Sequence, residues 1–313
     1  MNLHEETRNG YTISSDMKAV WSIQLQMVKY LLEVCARYGL RIWADGGTLL
    51  GTVREKGYIP WDDDIDLLMP RADYDKLIAV ADKEFTAPYH LQSFGRDKNY
   101  YRGHAQMRCD GTAAILPNDI WQPFHQGIFI DVFCYDTIPN EETAEWKKVL
   151  ERADKIQNTL TSLSLRGRMT SPRMCLETIK SKLYCLGHSK NKLIKEYDDL
   201  FRQFDKDENK RIAPPAFFRT DMEGSIKDKE WYKETIFLPF EDIQMPVPIG
   251  FDNALRTQYG DDYLTPRKAP SMHGSVFFDT VRDYKVVLKE LRNKRLVEKI
   301  KGVFFSKHPN NGE

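Results

Sequence analysis

The chain has 313 residues and a mass of 36.6 kDa, so it can bury a substantial core and form one large domain or two small ones. Its 46 basic residues equal its 46 acidic residues, and this zero net charge provides no global positive field for binding nucleic acid. No signal peptide, no run of 18 apolar residues and no CxxC spacing of cysteines is visible. These features predict a cytoplasmic protein of mixed helices and strands, without a disulfide framework or a zinc site.

Periodicity and turn residues predict alternating helices and strands over the first 140 residues. Apolar residues recur at helical spacing between residues 15 and 38, where Ser15 or Asp16 can cap the helix. Gly46 and Gly47 turn the chain from a short strand into a second helix. The predicted helices span residues 15–38, about 48–55 and 71–85, and the predicted strands span residues 40–44, 64–69, about 89–94, about 101–109 and 127–135.

The most informative segment is residues 46–70, in which aspartates crowd against an apolar strand. Side chains alternate along a strand, so Asp64 and Asp66 share one face while Ile65 and Leu67 take the other. Two carboxylates roughly 7 Å apart on one face repel each other and are costly to bury alone. A divalent cation removes both costs, and oxygen ligands favour Mg²⁺ or Mn²⁺. The alternative is a solvated acidic loop, which the apolar residues on both sides of the aspartates do not favour.

A second strand, residues 127–135, is apolar on both faces except for Asp131, so it belongs in the centre of a sheet. A lone carboxylate in such a strand requires a cation or strong hydrogen-bond donors. If this strand pairs with the strand that carries Asp64 and Asp66, Asp131 becomes a third carboxylate facing the metal. A structural salt bridge is the alternative.

The second half of the chain changes character. Charged segments of helical period occupy residues 141–210, with helices near 141–165, 173–186 and 189–204, and a proline-rich region of mixed structure follows. We interpret the charged helices as an insertion. The predicted divisions are an N-terminal helix and catalytic core over residues 1–140, a helical insertion over 141–210, the C-terminal part of the catalytic domain over 211–280, and a basic helical tail over 281–313.

A strand, a glycine pair, a helix, an Asp-x-Asp strand and a third aspartate on a later strand resemble a nucleotidyltransferase-like (polymerase β-like) fold. The string ADGGTLLGTVREKGYIPWDDDIDLLMPRADYDKL, residues 44–77, resembles the LicD family of phosphocholine transferases more specifically. Weaker similarity covers residues 127–139 and 236–284, including a Tyr-Gly-Asp element, and none covers residues 141–210. The resemblance implies an α+β nucleotidyltransferase-like core with a mixed sheet, interrupted by the helical insertion.

The resemblance also implies an activity. LicD proteins transfer a substituted phosphate, often phosphocholine from CDP-choline, to a sugar hydroxyl of a cell-surface glycan, which can be lipid-linked. Related domains move ribitol phosphate from a CDP donor. A rival interpretation is a nucleotidyltransferase that adds a nucleotide to a small molecule or a protein. A third is a binding module on an inactivated fold, although an inactive site has no reason to keep three mutually repelling acids.

This family resemblance assigns roles to individual residues. Asp64, Asp66 and Asp131 are the predicted catalytic metal ligands for Mg²⁺ or Mn²⁺. Asp62 is a candidate further ligand, and Asp131 is alternatively the base toward the acceptor hydroxyl. The residues predicted to bind the donor phosphate are Gly46, Gly47, Thr48 and Arg54.

The assignments outside the aspartate cluster also have structural alternatives. For the glycines it is an ordinary strand-to-helix turn, and for Arg54 it is a surface salt bridge. Tyr58 and Trp61 are candidates for an aromatic box around a quaternary ammonium headgroup, with core packing as the alternative.

The tail, residues 281–307, carries nine basic residues against three acids, interleaved with apolar and aromatic side chains. A basic amphipathic helix of this kind can adsorb to anionic lipid. The pattern predicts peripheral contact with the inner membrane face. The alternative is a helix packed on the core with a solvated charged face.

Overall fold

The computed structural model describes residues 1–97, 100, 102–164, 172–187, 189–206, 208–217, 222–268 and 276–305. Within these ranges the α-helices are α1 Ser15–Tyr38, α2 Gly46–Arg54, α3 Arg71–Ala79, α4 Ala81–Glu84, α5 Ala144–Ser164, α6 Pro172–Gly187, α7 Lys190–Arg202, α8 Met222–Ser225, α9 Phe251–Tyr259 and α10 Tyr284–Phe305. The strands are β1 Glu6–Arg8, β2 Tyr11–Ile13, β3 Trp43–Ala44, β4 Asp66–Pro70, β5 Tyr89–Gln92, β6 Ala105–Cys109, β7 Ala113–Ile115, β8 Phe129–Ile138, β9 Arg211–Ala213, β10 Lys227–Asp228, β11 Thr235–Phe240, β12 Ile243–Pro248 and β13 Phe277–Asp279. Short 3-10 helices span Pro215–Phe217 and Lys229–Tyr232.

The largest sheet in the described chain has seven strands of mixed direction. Its main path runs in the order β10–β9–β8–β4–β3, and β6 also pairs with β8 while β5 pairs with β6. Strands β4 and β8 are parallel, and their register sets Asp66 opposite Asp131. The other pairs of this sheet are antiparallel. The structure therefore confirms a mixed sheet with helices, and it places the two aspartate-bearing strands side by side.

Helix α1 packs its apolar side into the main core, where it meets the inner faces of β4 and β8. Its cap is Ser14, one residue before the predicted candidates Ser15 and Asp16, because the Ser14 hydroxyl accepts a hydrogen bond from the Met17 amide at 3.2 Å. The helix ends at Gly39, whose φ of 61° lies in the left-handed region that favours glycine. The α1 prediction is thus confirmed apart from its cap.

Three predicted boundaries near the acidic segment shift. Helix α2 begins at Gly46 rather than near residue 48, and β4 begins at Asp66, so Asp64 lies in the segment before the strand. The predicted helix over residues 71–85 is divided into α3 and α4 at Val80, whose φ of −93° and ψ of 0° are not helical. The first shift brings the helix start directly to the glycine pair.

Helices α5, α6 and α7 occupy the region predicted as a helical insertion, with ends within three residues of the predicted ones. Part of this region forms a separate apolar cluster, in which the Trp146 ring meets the rings of Phe201 and Phe204 edge-on at 6.2 Å and 5.3 Å. The division of the chain into domains stays a prediction, and this second cluster is the observation that favours it.

The first turns of α10 pack against the rest of the protein. Val287 and Leu288 are buried against β7 and Ile120. The side chains from residue 295 onward, which include the predicted aromatic end of the tail, lie outside the described part. Among the helices of the described residues, none has an apolar stretch long enough to cross a membrane.

Candidate active site

Three carboxylates meet where the parallel strands β4 and β8 run side by side. One oxygen from each of Asp64, Asp66 and Asp131 lies within 4.8 Å of the others. Asp66 and Asp131 are register partners. The Asp131 amide donates a hydrogen bond to the Ile65 carbonyl at 2.8 Å, which holds β8 against the segment before β4. The structure therefore brings together the three aspartates that the sequence predicts as metal ligands.

Burial and neighbouring charges shift the pKa values of several carboxyl groups in this cluster. Burial, followed by repulsion from Asp64, raises the pKa of Asp66 well above its ordinary value. Burial and Asp64 raise the pKa of Asp62 in the same way. Burial alone would also raise the pKa of Asp131, but nearby His104 is the main group that lowers it below its ordinary value. The Asp131 Oδ1 atom lies 3.3 Å from His104 Nε2, without the alignment of a hydrogen bond.

This donor set fits a hard divalent cation. The converging ligands are carboxylate oxygens, which suit Mg²⁺ or Mn²⁺. Asp131 Oδ1 is buried and makes no hydrogen bond among the described residues, so it has capacity left for a ligand. Asp62, Asp63 and Asp64 form an adjoining group with oxygens within 4.8 Å of one another, which places Asp62 beside the cluster as a further candidate ligand.

The glycine pair lets the start of α2 approach the carboxylates. Gly46 has a φ of +52°, and a Cβ atom built on it would lie 3.4 Å from Asp66 Oδ2. A Cβ atom on Gly47 would lie only 2.7 Å from Asp62 Oδ2, so this glycine makes room for that carboxylate. The first amides of α2 consequently lie next to the acidic cluster, at the helix end that favours anions.

Two residues beside the glycines fix this geometry. The Thr48 hydroxyl accepts a hydrogen bond from the Asp66 amide at 2.9 Å, and the Asp45 amide donates to the Asp66 carbonyl at 3.0 Å. The Asp45 carboxylate forms a buried ion pair with Lys227 of β10. Burial alone would lower the pKa of Lys227, but Asp45 raises it above its ordinary value. Lys227 is absent from the sequence prediction because it pairs across 182 residues and no local pattern marks it.

Arg54, a predicted phosphate ligand, is held away from the glycine pair. It ends α2, roughly 12 Å along the helix axis from Gly46. Its Nε atom donates to Glu55 at 2.7 Å and its Nη1 atom donates to the Tyr263 carbonyl at 3.2 Å. These contacts favour a salt bridge for Arg54, but a largely buried one rather than the surface salt bridge of the alternative.

The two predicted headgroup residues have different surroundings. Tyr58 is 2% exposed and stacks on Trp21 at 4.3 Å with an interplanar angle of 2°, which favours core packing. Trp61 is partly buried and meets the Tyr11 ring edge-on at 6.1 Å. The Lys268 ammonium lies 4.8 Å from the centroid of that Tyr11 ring. The aromatic neighbour that the structure gives Trp61 is therefore Tyr11.

Two further side chains reach the cluster although the sequence reasoning did not assign them a role. His104, at the start of β6, lies beside Asp131 and packs its ring 4.4 Å from the Phe133 ring. The Tyr259 hydroxyl would lie 3.9 Å from a Cβ atom on Gly46, and burial followed by nearby carboxylates raises its pKa. Tyr259 belongs to the Tyr-Gly-Asp element noted in the sequence, which was the available signal. His104 has no such signal.

A helix start that faces converging carboxylates from adjacent strands is an arrangement suited to an enzyme that handles phosphate groups. Residues 39–157 match the family described as LicD/FKTN/FKRP, nucleotidyltransferase domain. The chain is 28% identical over 244 residues to the lipopolysaccharide cholinephosphotransferase LicD of Haemophilus influenzae, covering 77% of this chain and 88% of that protein. These matches place a LicD domain at residues 39–157 and indicate that the chain is a phosphotransferase enzyme.

Two further relatives match shorter segments of the chain. The chain is 43% identical over 42 residues to the human ribitol 5-phosphate transferase FKRP, which is 13% of this chain and 8% of that protein. It is 37% identical over 67 residues to the uncharacterized protein RP689 of Rickettsia prowazekii, which is 21% of this chain and 24% of that protein.

Proposed function

We propose that this chain transfers phosphocholine, or a related phospho-alcohol, from a CDP-linked donor to a hydroxyl of a cell-surface glycan such as lipopolysaccharide. The name of the Haemophilus relative supports both the phosphocholine and the lipopolysaccharide acceptor. The name of the FKRP relative supports a wider class of transferred phospho-alcohols. The core is proposed to be nucleotidyltransferase-like, which the description of the matched family supports.

The observation that carries this proposal is the convergence of Asp64, Asp66 and Asp131 within 4.8 Å beside the start of α2. These three carboxylates would hold Mg²⁺ or Mn²⁺, which would neutralise charge on the donor pyrophosphate. The amides at Gly46 and Gly47 supply further donors to a phosphate group. Phosphoryl transfer needs such charge neutralisation and alignment more than covalent help from the protein.

The acceptor side of the site is proposed to lie at Asp131. Its carboxylate serves either as a cation ligand or as the base for the acceptor hydroxyl. His104 lies 3.3 Å from it and holds the pKa of Asp131 below its ordinary value, so the carboxylate stays ionised at neutral pH. An ionised carboxylate is required in either role. The Tyr259 hydroxyl is available beside Gly46 on the donor side.

The proposed location is the cytoplasm, with the basic tail in peripheral contact with the inner membrane face. Surface glycans are commonly assembled on lipid carriers at that face, so adsorption would bring the enzyme to a lipid-linked acceptor. The packing of Val287 and Leu288 anchors the start of α10 to the protein. The segment proposed to meet lipid is the part of the tail that follows.

The test is CMP release from a panel of CDP-alcohols, including CDP-choline and CDP-ribitol, with a glycan acceptor. We expect release from at least one of them with Mg²⁺ or Mn²⁺, loss of release in chelator, and poor replacement by Zn²⁺ because the ligands are oxygens. Full activity after exhaustive chelation would contradict the proposed metal site. Transfer of the nucleotide itself to the acceptor would instead favour the nucleotidyltransferase alternative.

A further inference from the structure

A cavity lies at the opposite end of β4 from the acidic cluster, between the sheet and helix α7. Its volume is about 420 Å³, within the usual range of small-molecule sites. Arg71, which lines it, follows β4 and lies five residues after Asp66, or roughly 16 Å along an extended strand. The cavity is therefore distinct from the place where the donor pyrophosphate is proposed to bind.

One wall of the cavity is a chain of ion pairs that joins the sheet to α7. Arg71 donates to Asp136 at 2.8 Å and to Asp198 at 2.7 Å. Arg202 donates to Asp198 at 2.6 Å and to Asp75 at 2.9 Å. Bidentate, charge-assisted contacts of this kind hold their side chains in defined positions. The wall is therefore preformed, and it presents both carboxylate acceptors and guanidinium donors.

A second wall contains a buried polar group that has no partner in the described chain. Ser93 lines the cavity and is 1% exposed, and its hydroxyl makes no hydrogen bond among the described residues. An unpaired buried hydroxyl costs about 1–3 kcal/mol, which a hydrogen bond from a ligand would offset. Tyr74, Phe94 and Asn191 also line the space. Residues with hydroxyl, amide, charged and aromatic side chains thus line one cavity.

One rim of the cavity adjoins the reaction centre. Gly103 lines the cavity and immediately precedes His104, and consecutive Cα atoms are about 3.8 Å apart. The His104 Nε2 atom is in turn 3.3 Å from Asp131 Oδ1. The rim of the cavity at Gly103 is thus one residue from a side chain that contacts the carboxylate proposed to face the acceptor hydroxyl.

We propose that this cavity is the acceptor subsite and binds a saccharide unit of the glycan while the reacting hydroxyl extends toward Asp131. The inference rests on the proposed function. Its polar wall does not suit a lipid chain. The cations of Arg71, Arg202 and Lys195 already pair with carboxylates, so the cavity offers no unpaired cation among these three to a nucleotide phosphate. A saccharide matches the lining, because its hydroxyls pair with carboxylate, amide and hydroxyl groups while its apolar face covers an aromatic ring. Helix α7 of the insertion therefore contributes to acceptor choice.

The experiment titrates the full chain, without donor, with lipid-free core oligosaccharide from lipopolysaccharide and follows binding by saturation-transfer NMR. Asn191→Trp places a large ring in the cavity from an exposed helix position, and we expect it to weaken binding by about tenfold or more. Lys192→Trp is the matched control, because Lys192 is exposed on the same helix and does not line this cavity. Ser93→Ala should weaken binding while the melting temperature stays equal or rises, since it removes an unpaired buried group.

Equal affinity in the wild type and Asn191→Trp, or no saccharide binding by the wild type, would overturn the subsite. An equal loss in Lys192→Trp would also overturn it, because the effect would then belong to the helix surface. CMP release by the wild type is measured separately. If the wild type cleaves no CDP-alcohol but binds saccharide in a manner that depends on Asn191 and Ser93, the proposed function fails and the saccharide site stands.

Discussion

Replacement of Asp66 by asparagine tests whether the acidic cluster is a metal site or an ordinary acidic patch. In the absence of metal, two full charges no more than 4.8 Å apart in an effective dielectric of about 20 repel by at least about 3.5 kcal/mol. The raised pKa of Asp66 shows that protonation already relieves part of this repulsion. Asp66→Asn should therefore raise the free energy of unfolding of the metal-free protein by about 1–3 kcal/mol.

In saturating Mg²⁺ the wild type should instead be more stable than Asp66→Asn. A ligand that binds only the folded state at a hundred times its Kd adds about 2.7 kcal/mol of stability, and Asp66→Asn should lose most of that gain. The assay is chemical denaturation in chelator and in saturating Mg²⁺, together with a transfer assay in which the variant should be inactive. Glu5→Gln removes one negative charge at an exposed position and serves as the control.

Two results would refute this reasoning. If Asp66→Asn destabilises the metal-free protein by more than about 1 kcal/mol, its carboxylate makes a net favourable contact in the fold. If Mg²⁺ stabilises the variant as much as the wild type, or if the variant keeps wild-type turnover, Asp66 is not a metal ligand.

Three other changes test separate parts of the account. Gly47→Ala should lower transfer by about tenfold or more at nearly unchanged stability, because the new methyl group displaces the Asp62 carboxylate, which lies 2.7 Å from the Cβ position. Lys227→Met should destabilise the protein by about 3–5 kcal/mol in chemical denaturation, because it leaves Asp45 buried without its partner. A chain that ends after residue 294 should cosediment less with anionic vesicles at low salt than the full chain does.

Each of these changes has a matched control. Gly187→Ala adds a methyl group where nothing lies within 4 Å of the Cβ position, and it should leave transfer intact. If Gly47→Ala and Gly187→Ala lose transfer activity equally, displacement of Asp62 is not the cause of the loss. The double variant Lys227→Met with Asp45→Asn should recover part of the stability, and no recovery would argue against a buried charge as the cause. If the full chain and the chain that ends after residue 294 both stay in the supernatant with the vesicles, the tail has a structural role only.

Local patterns were sufficient to predict the metal-ligand candidates. Alternation along a strand predicted that Asp64 and Asp66 share one face, and the two carboxylates do converge although β4 begins only at Asp66. An apolar strand interrupted by Asp131 indicated a buried carboxylate that needs a partner. The parallel register of β4 and β8 then sets Asp66 opposite Asp131. The insertion helices also follow from periodicity, because their apolar stripes must be buried whatever lies opposite, whereas the mixed sheet was implied by the family resemblance.

Contacts between distant segments could not be predicted in this way. The pairing of Lys227 with Asp45 joins residues far apart in the chain, and composition gives no information on which strand comes to lie beside α2. Tyr58 was a candidate for the aromatic box around a headgroup because the sequence does not show whether an aromatic residue near an acidic segment is buried or exposed. In the structure its ring is covered by Trp21, a residue of α1.

The most direct test of the central claim is a double-label transfer assay. CDP-choline carrying one label in the choline and another in the cytidine is incubated with the chain, Mg²⁺ and a lipopolysaccharide acceptor. We expect the choline label to appear on the glycan and the cytidine label to be released as CMP, and we expect Asp66→Asn and Asp131→Asn each to abolish the transfer. Cytidine label on the acceptor, or undiminished transfer of the choline label by either variant, would contradict it.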